Sequence, residues 1–422
     1  MARKRVKKEK EQLNFKGIHN SFKGNLESLE AFVNSVAPVA EKHDEATREK
    51  LDKFADGIRK IFGAEKDKLN KKRRKQLIEG MTEEQANQVI QLAADLPRLT
   101  LPQAQLLYRS SFVMLMSYFD FLLSDLIRYF YRKYPDILSE KELPLTLKEL
   151  TDLASIDNAV DFVINKEVDN VLYDSLQKQK IYFKNTLKID TKDDIINWSK
   201  IVEAMERRHI VVHNDCKTNR RYLSNIDISQ VPEKADDLKE GAKVRITDSY
   251  FRSVFEEICV SGVILLQVCW RKWEKDDTVN ADEALIDLDI YDALMKENWA
   301  CAERLGLFAK GCGVTDQACR LVLDVNYCQS LKWQGKKDEL ERELKKFDVS
   351  ALSPKFALAL YALRSDPDGF YRNIENAIIV DKVTKEHFMK WPLFRELRKD
   401  PTYEEKINAA FAAVARENQP PS

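Results

Sequence analysis

From Leu101 to Pro135 the chain reads LPQAQLLYRSSFVMLMSYFDFLLSDLIRYFYRKYP. Its apolar positions cover so much of a 3.6-residue period that the stretch predicts a helix buried on several sides, about nine turns long and ended by Pro135. A second stretch, TDSYFRSVFEEICVSGVILLQVCWRKWEKDD, predicts another long apolar helix over 247–274. Between the two, shorter helices are expected near Thr146–Ala154, Ile156–Asn165 and Asn170–Thr186. Another is expected over DDIINWSKIVEAMERRHIVVHNDC. On that helix Ile195, Trp198, Val202, Met205, His209 and Val212 recur at three- and four-residue steps, which predicts that they face a core. Residues 222–246, with Pro232 and Gly241, read as a polar loop.

The flanks differ in texture. Residues 1–95 are highly charged, and a narrow stripe (Leu51, Phe54, Ile58, Ile61, Phe62) predicts a helical arm or hairpin packed on something else. After Asp277, helical pairs succeed one another at intervals of about 35 residues, the spacing of a helical-repeat solenoid. Apolar spacing alone fits any helical bundle equally well. The chain is therefore expected to be all-α, in three blocks: a basic helical arm over 1–95, a helical bundle over 96–277 and a helical-repeat domain over 278–422. Few breakers interrupt it, with 12 glycines and 12 prolines in 422 residues.

Charge changes little in this picture. Lysine plus arginine and aspartate plus glutamate number 69 each, so net charge argues for neither a nucleic-acid nor a membrane partner. Locally, Lys72, Arg73 and Arg74 within KKRRK are candidates for phosphate contacts, against the alternative of a solvated face. Seven cysteines (216, 259, 269, 301, 312, 319, 328) form no CxxC pair, which fits neither a disulfide framework nor a four-ligand zinc site. The basic start leads into no apolar region, and the run Cys259–Trp270 is too short to span a bilayer. A cytoplasmic protein is the expectation, without membrane partner, metal or cofactor. No GxxxxGK[ST] loop is present.

The candidate chemistry lies in EAMERRHIVVHNDCKTNRRYL, where Arg207, Arg208, His209 and His213 fall within seven residues of a chain with five histidines. His209 and His213 stand one helical turn and about 40° apart, and Arg208 lies about 140° from His213. Three readings compete. The histidines could share a metal ion, with Asp215 as a third ligand, although a zincin helix would carry glutamate where Ile210 stands. Alternatively, His209 is a core histidine, and the arginines pair with Glu203 or Glu206 one turn back. The third reading is chemistry on a phosphodiester.

For that third reading, Arg208-His209-Ile-Val-Val-His213 resembles the signature of HEPN ribonucleases, an arginine followed after four to six residues by a histidine, with a polar residue next to the arginine. VHNDCKTNRRYL also resembles the continuation of this helix in HEPN families of bacterial conflict systems. The resemblance covers residues 100–275. It implies a HEPN-type bundle and metal-independent RNA cleavage, in which Arg208 stabilises phosphorane charge, His213 moves protons and His209 supports them. The products implied are 2′,3′-cyclic phosphate and 5′-hydroxyl ends. Arg207, with Lys72, Arg73 and Arg74, is expected to bind substrate. Asp120 or Asp125 of the first long helix could contribute, or could pair with Arg128 or Lys133 instead. The resemblance further implies a homodimer completing the site from two motifs, and RNA (tRNA included) as substrate in a defence or toxin setting. The C-terminal helices resemble tetratricopeptide repeats at WPLFRELRKDPTYEE, which implies a protein partner there. The rival expectation is a non-catalytic interaction scaffold.

Overall fold

Helix caps and breakers set the element boundaries in the computed structural model, which describes residues 13–62, 79–94, 101–139, 155–192, 194–348 and 352–417, with positions 96, 146 and 153. Among these residues every regular element is helical, and pairing is limited to one isolated bridge, Lys217 with Lys243. Helix α1 (Phe15–Phe62) runs 48 residues through Pro38. Helix α2 (Glu83–Ala94) opens with a reciprocal cap, in which Thr82 N–H donates to Gln85 Oε1 and Gln85 N–H to Thr82 Oγ1. Helix α3 (Gln103–Lys133) is the first long apolar helix, and α4 (Pro135–Ser139) is one turn beyond it. The helix expected near Thr146–Ala154 lies almost wholly outside the described residues.

Helix α5 (Ile156–Tyr173) starts at Ser155, whose hydroxyl accepts from Asn158 N–H, and α6 (Leu176–Asn185) follows. The predicted break between Asn165 and Asn170 is absent. The chain breaks instead at Asp174 and Ser175, both extended, because 165–170 holds no glycine or proline whereas the Asp-Ser pair favours a cap. Helix α7 (Trp198–His213) carries the Arg–His motif and is shorter than expected. Helix α8 (Arg220–Asn225), capped by Asn219, overlaps the start of the predicted loop, and α9 (Asp248–Trp273) is the second long helix.

In the C-terminal region α10 (Thr278–Glu283) leads through a π-helical stretch, Ala284–Ile290, into α11 (Tyr291–Met295). Then come α12 (Trp299–Gly311), α13 (Gln317–Trp333), α14 (Lys337–Leu344), α15 (Pro354–Leu363), α16 (Pro367–Arg372), α17 (Ile374–Val380), α18 (Lys385–Lys390) and α19 (Tyr403–Glu417). Helices α3 and α9 are long and apolar enough to cross a membrane, even though the run 259–270 is not. Their most apolar windows are 56% and 72% buried within the fold, as in core helices.

The chain divides into two compact units, each built from separated segments. One comprises 21–121 with 199–255, and the other 1–20, 122–198 and 256–422. In the first, α1 buries Phe22, Leu26, Leu29, Val33 and Ala37, which follow one another at three- and four-residue steps on one stripe. Asp44 of α1 caps α3, its two carboxylate oxygens accepting from Gln103 N–H at 2.7 Å and Ala104 N–H at 2.9 Å. Farther along α1, Leu51, Phe54, Ile58, Ile61 and Phe62 are half-buried, and the Ile61 carbonyl accepts from Gln85 of α2. Tyr108 packs on Phe251 and Phe112 on Tyr250, joining the first turns of α3 and α9.

In the second unit Phe15 stacks on Trp270 with ring centroids 5.3 Å apart, and His19 Nε2 lies 2.9 Å from Asp289 Oδ2 in a fully buried pair. The C-terminal helices pack mostly on near neighbours in sequence, α12 on α13, α13 on α15, α15 on α17 and α17 on α19. An aromatic core of Phe370, Phe388, Phe394 and Tyr403 holds the last of them.

Candidate functional site

The buried side of α7 is not the one its apolar residues predict. Trp198 is buried as expected, and so are Ile201, Ala204, Arg207 and Ile210, whereas Ile195 and Val212 are exposed and Val202, Met205 and His209 are only half-buried. From Val202 onward the stripe expected to face the core lies about 140–160° around the helix from Arg207, on the side turned away from the core. The cause is a polar residue in the core.

Arg207 is fully buried, and all five of its N–H donors are taken. Nε donates to Glu203 Oε1 at 2.7 Å, Nη1 to Glu233 Oε1 and the Arg245 carbonyl, and Nη2 to Glu233 Oε2 and Tyr222 Oη. Its guanidinium carbon sits 4.1 Å from the centre of the Tyr250 ring. Glu203 in turn accepts from Tyr222 Oη and Tyr250 Oη, each at 2.6 Å. Burial opposes the arginine's charge, but Tyr250, Glu203 and Glu233 outweigh it and hold its pKa well above the ordinary value. Arg207 was expected to bind substrate; in this arrangement it has no donor left for one. It pins the segment after α7 instead. That segment also carries Tyr222 and Val244 into a small core with Ile210 and Cys216, and a backbone bond joins Val244 N–H to the Cys216 carbonyl.

Arg208, one residue on, is the opposite case. Its side chain is 38% exposed, and among the described residues it makes no hydrogen bond and its buried Nε has no partner. Its one ion pair among the described residues is with Asp120 of α3, with Oδ2 3.6 Å from Nη2, beyond hydrogen-bond range. Burial pushes the Asp120 carboxyl up to about 6, with Arg208 acting against the rise. Asp125, the other carboxylate considered on α3, pairs with Arg128 at 3.2 Å. Asp215 lies beyond the end of α7 and pairs with Arg109 and Lys243. Since Arg109 meets residue 215 and Asp120 meets residue 208, α3 and α7 run antiparallel along this edge.

His209 and His213 are neighbours, with ring centroids 4.8 Å apart and planes at 50°. His213 is exposed. The His209 pKa is lowered, first by partial burial and then by the positive charge of Arg221, His213 and Arg208, with Glu206 opposing. Both causes favour the neutral imidazole of His209, the form that accepts a proton. Among the described residues no group of three or more His, Cys, Asp or Glu side chains is arranged to hold a metal ion, and all seven cysteines are free thiols. Lys72, Arg73 and Arg74 lie outside the described residues.

The sequence reading passed over two cations near this edge. Arg109 is 12% exposed with Nε and Nη2 buried and unpartnered, and Arg221 pairs with Glu206. The signal for Arg109 was a lone arginine amid LLYRSSF, a position a helix rarely gives to a charge without cause. The helix edge therefore offers a guanidinium with free donors and two imidazoles, a set able to bind an anionic oxygen and move a proton near neutral pH. No family model matches this chain, and no curated protein or solved structure matches it.

Proposed function

We propose that this protein is a HEPN-type, metal-independent endoribonuclease. The observation that carries the reading is the contrast between two adjacent arginines. Arg207 is satisfied five times over in the core, whereas Arg208 is left without a hydrogen bond beside two histidines on an accessible edge. A buried N–H without a partner is costly, and such groups concentrate where a ligand completes them. In the proposed reaction one imidazole takes the proton from the ribose 2′-hydroxyl, whose oxygen attacks the adjacent phosphorus. Arg208 binds the non-bridging oxygens as charge grows on the phosphorane, and a protonated imidazole supplies the proton that leaves with the 5′-oxygen. The products are a 2′,3′-cyclic phosphate and a 5′-hydroxyl. His213, the more exposed ring, is assigned the proton transfer, and His209 positions it. A second copy of the chain would bring a second motif to the same phosphate, and the C-terminal helices would serve as a tetratricopeptide-like surface for a protein partner.

The test is cleavage of total RNA and tRNA by the purified protein in EDTA, with Arg208→Ala and His213→Ala alongside. Cyclic phosphate ends that appear with the wild type and vanish in both variants are the expected result. Cleavage that EDTA abolishes would overturn the metal-independent mechanism. Cleavage that survives His213→Ala would overturn the assignment of this edge.

A further inference from the structure

The C-terminal half of the chain holds a cavity of about 330 Å³ that the candidate nuclease edge does not use. Asn326 of α13 is one of its buried lining residues, with Val325; Phe356 and Trp391 also line it, and Asp287, Lys355 and His387 are among its more exposed lining residues. The volume is at the lower end for small-molecule sites, too small for a folded partner or a nucleic-acid strand.

Asn326 is the feature that needs explaining. It is 2% exposed, and its side-chain amide nitrogen has no hydrogen-bond partner in the protein. A buried amide without partners is expensive, and the apolar alternative of the same shape is not. Its neighbours Val325, Leu323 and Leu331 on the same helix are buried aliphatics, so a leucine would suit the packing. An amide here makes sense if something entering the cavity pairs with it.

The lining narrows what that is. An amide presents one donor side and one acceptor side in a plane, which matches the edge of a nucleobase, adenine above all. Aromatic walls suit the faces of such a ring. Asp287 is a carboxylate of the kind that accepts from ribose hydroxyls. Lys355 supplies a cation, and His387, whose Nδ1 accepts from Thr384 N–H, keeps Nε2 as a donor, so both suit a phosphate. We propose that this cavity binds a nucleoside monophosphate, with its base paired to Asn326 and its phosphate toward Lys355. The proposal does not depend on the nuclease reading.

Isothermal titration of the full chain with AMP, adenosine and ribose 5-phosphate tests it. AMP is expected to bind, with ribose 5-phosphate at least about tenfold weaker because it lacks the ring. Asn326→Leu should weaken AMP by at least about tenfold while its thermal midpoint does not fall below the wild type, since leucine leaves no orphaned amide. Lys355→Met should weaken AMP more than adenosine. Arg208→Ala should bind AMP as the wild type does. Absence of AMP binding at millimolar concentration would overturn the proposal, as would unchanged AMP binding by Asn326→Leu. A destabilised Asn326→Leu would assign the amide a structural role instead. AMP binding lost in Arg208→Ala would relocate the ligand to the α7 edge.

Discussion

Replacing Arg207 by alanine should unfold the protein far more readily than replacing Arg208, although the two are adjacent and chemically identical. Removing Arg207 takes five hydrogen bonds from a guanidinium with no exposure and leaves Glu203, itself 0% exposed, without its cation. Breaking a buried ion pair from one side costs about 3–5 kcal/mol, because a charge is left behind in a medium that solvates it poorly. Two features place the expected loss in the lower part of that range. Glu203 keeps the hydroxyls of Tyr222 and Tyr250, and Glu233, at 24% exposure, can regain water. A loss of about 3–4 kcal/mol follows, read as a urea midpoint lowered by roughly 1–2 M at an m-value of about 2–3 kcal/mol/M. Arg208→Ala, by contrast, removes a partly exposed 3.6 Å pair that makes no hydrogen bond and should change stability by less than about 1 kcal/mol. Acid should shrink the Arg207 effect. Burial raises the Glu233 carboxyl, but its hydrogen bonds to and attraction by Arg207 outweigh that and leave its pKa below the ordinary 4.5. A lowered carboxylate contributes stability above its unfolded value and loses it as pH falls through the folded one, so wild type and Arg207→Ala should converge at low pH. The assay is equilibrium urea unfolding at pH 7 and again near pH 3. Equal midpoints for the two alanine variants at pH 7 would refute the inward assignment of Arg207 and the network built on it.

Three further outcomes follow from the same edge and its supports. Asp120→Asn should leave stability unchanged below pH 4 and raise it, relative to wild type, as pH climbs from about 4 to about 6, above which the gain levels off. The wild-type carboxyl is pushed up to about 6 from 3.8 by burial, so between those values the unfolded chain gives up a proton that the folded chain keeps, and the fold loses stability. The gain above pH 6 should be on the order of 1–3 kcal/mol, and a difference that stays flat from pH 4 to 8 in thermal unfolding would contradict it. His213→Ala should raise the His209 pKa toward its ordinary 6.5 by removing a neighbouring positive charge, a shift followed in the imidazole NMR signals; an unchanged value would mean that His213 has no part in the lowering. Asp44→Ala should cost about 1 kcal/mol in urea unfolding by uncapping α3, with Asp44→Asn milder because an amide oxygen can still accept.

The two long helices were legible in the sequence because their apolar residues nearly encircle them and breakers close them: Pro135 follows α3, and α9 ends at Trp273, short of the charged KDD. Other features were not local enough to read. Two compact units assembled from interleaved segments leave no mark on a periodicity. The unpaired amide of Asn326 looks in sequence like any polar position on a helix. The motif helix was misread for a sharper reason. Counting apolar residues assigns Arg207 outward; its pairing with Glu203 one turn back was among the readings of the sequence, but the bidentate carboxylate 26 residues away was not legible there. Once Arg207 is pinned to the core, the rest of the edge follows from geometry. At 100° per residue Arg208 falls about 100° from the core direction, His209 about 200° and His213 about 240°. The histidines then lie on the side away from the core, and Arg208 stands at the seam where α7 meets α3, partly sheltered and within 3.6 Å of Asp120. The buried arginine thus sets the rotation of the helix that presents the exposed one. For this reason the Glu203–Arg207–Glu233 network belongs to the candidate site even though it touches no substrate. Arg207→Lys, which keeps the charge but not the planar five-donor fork, should disturb the presentation of Arg208 before it unfolds the chain.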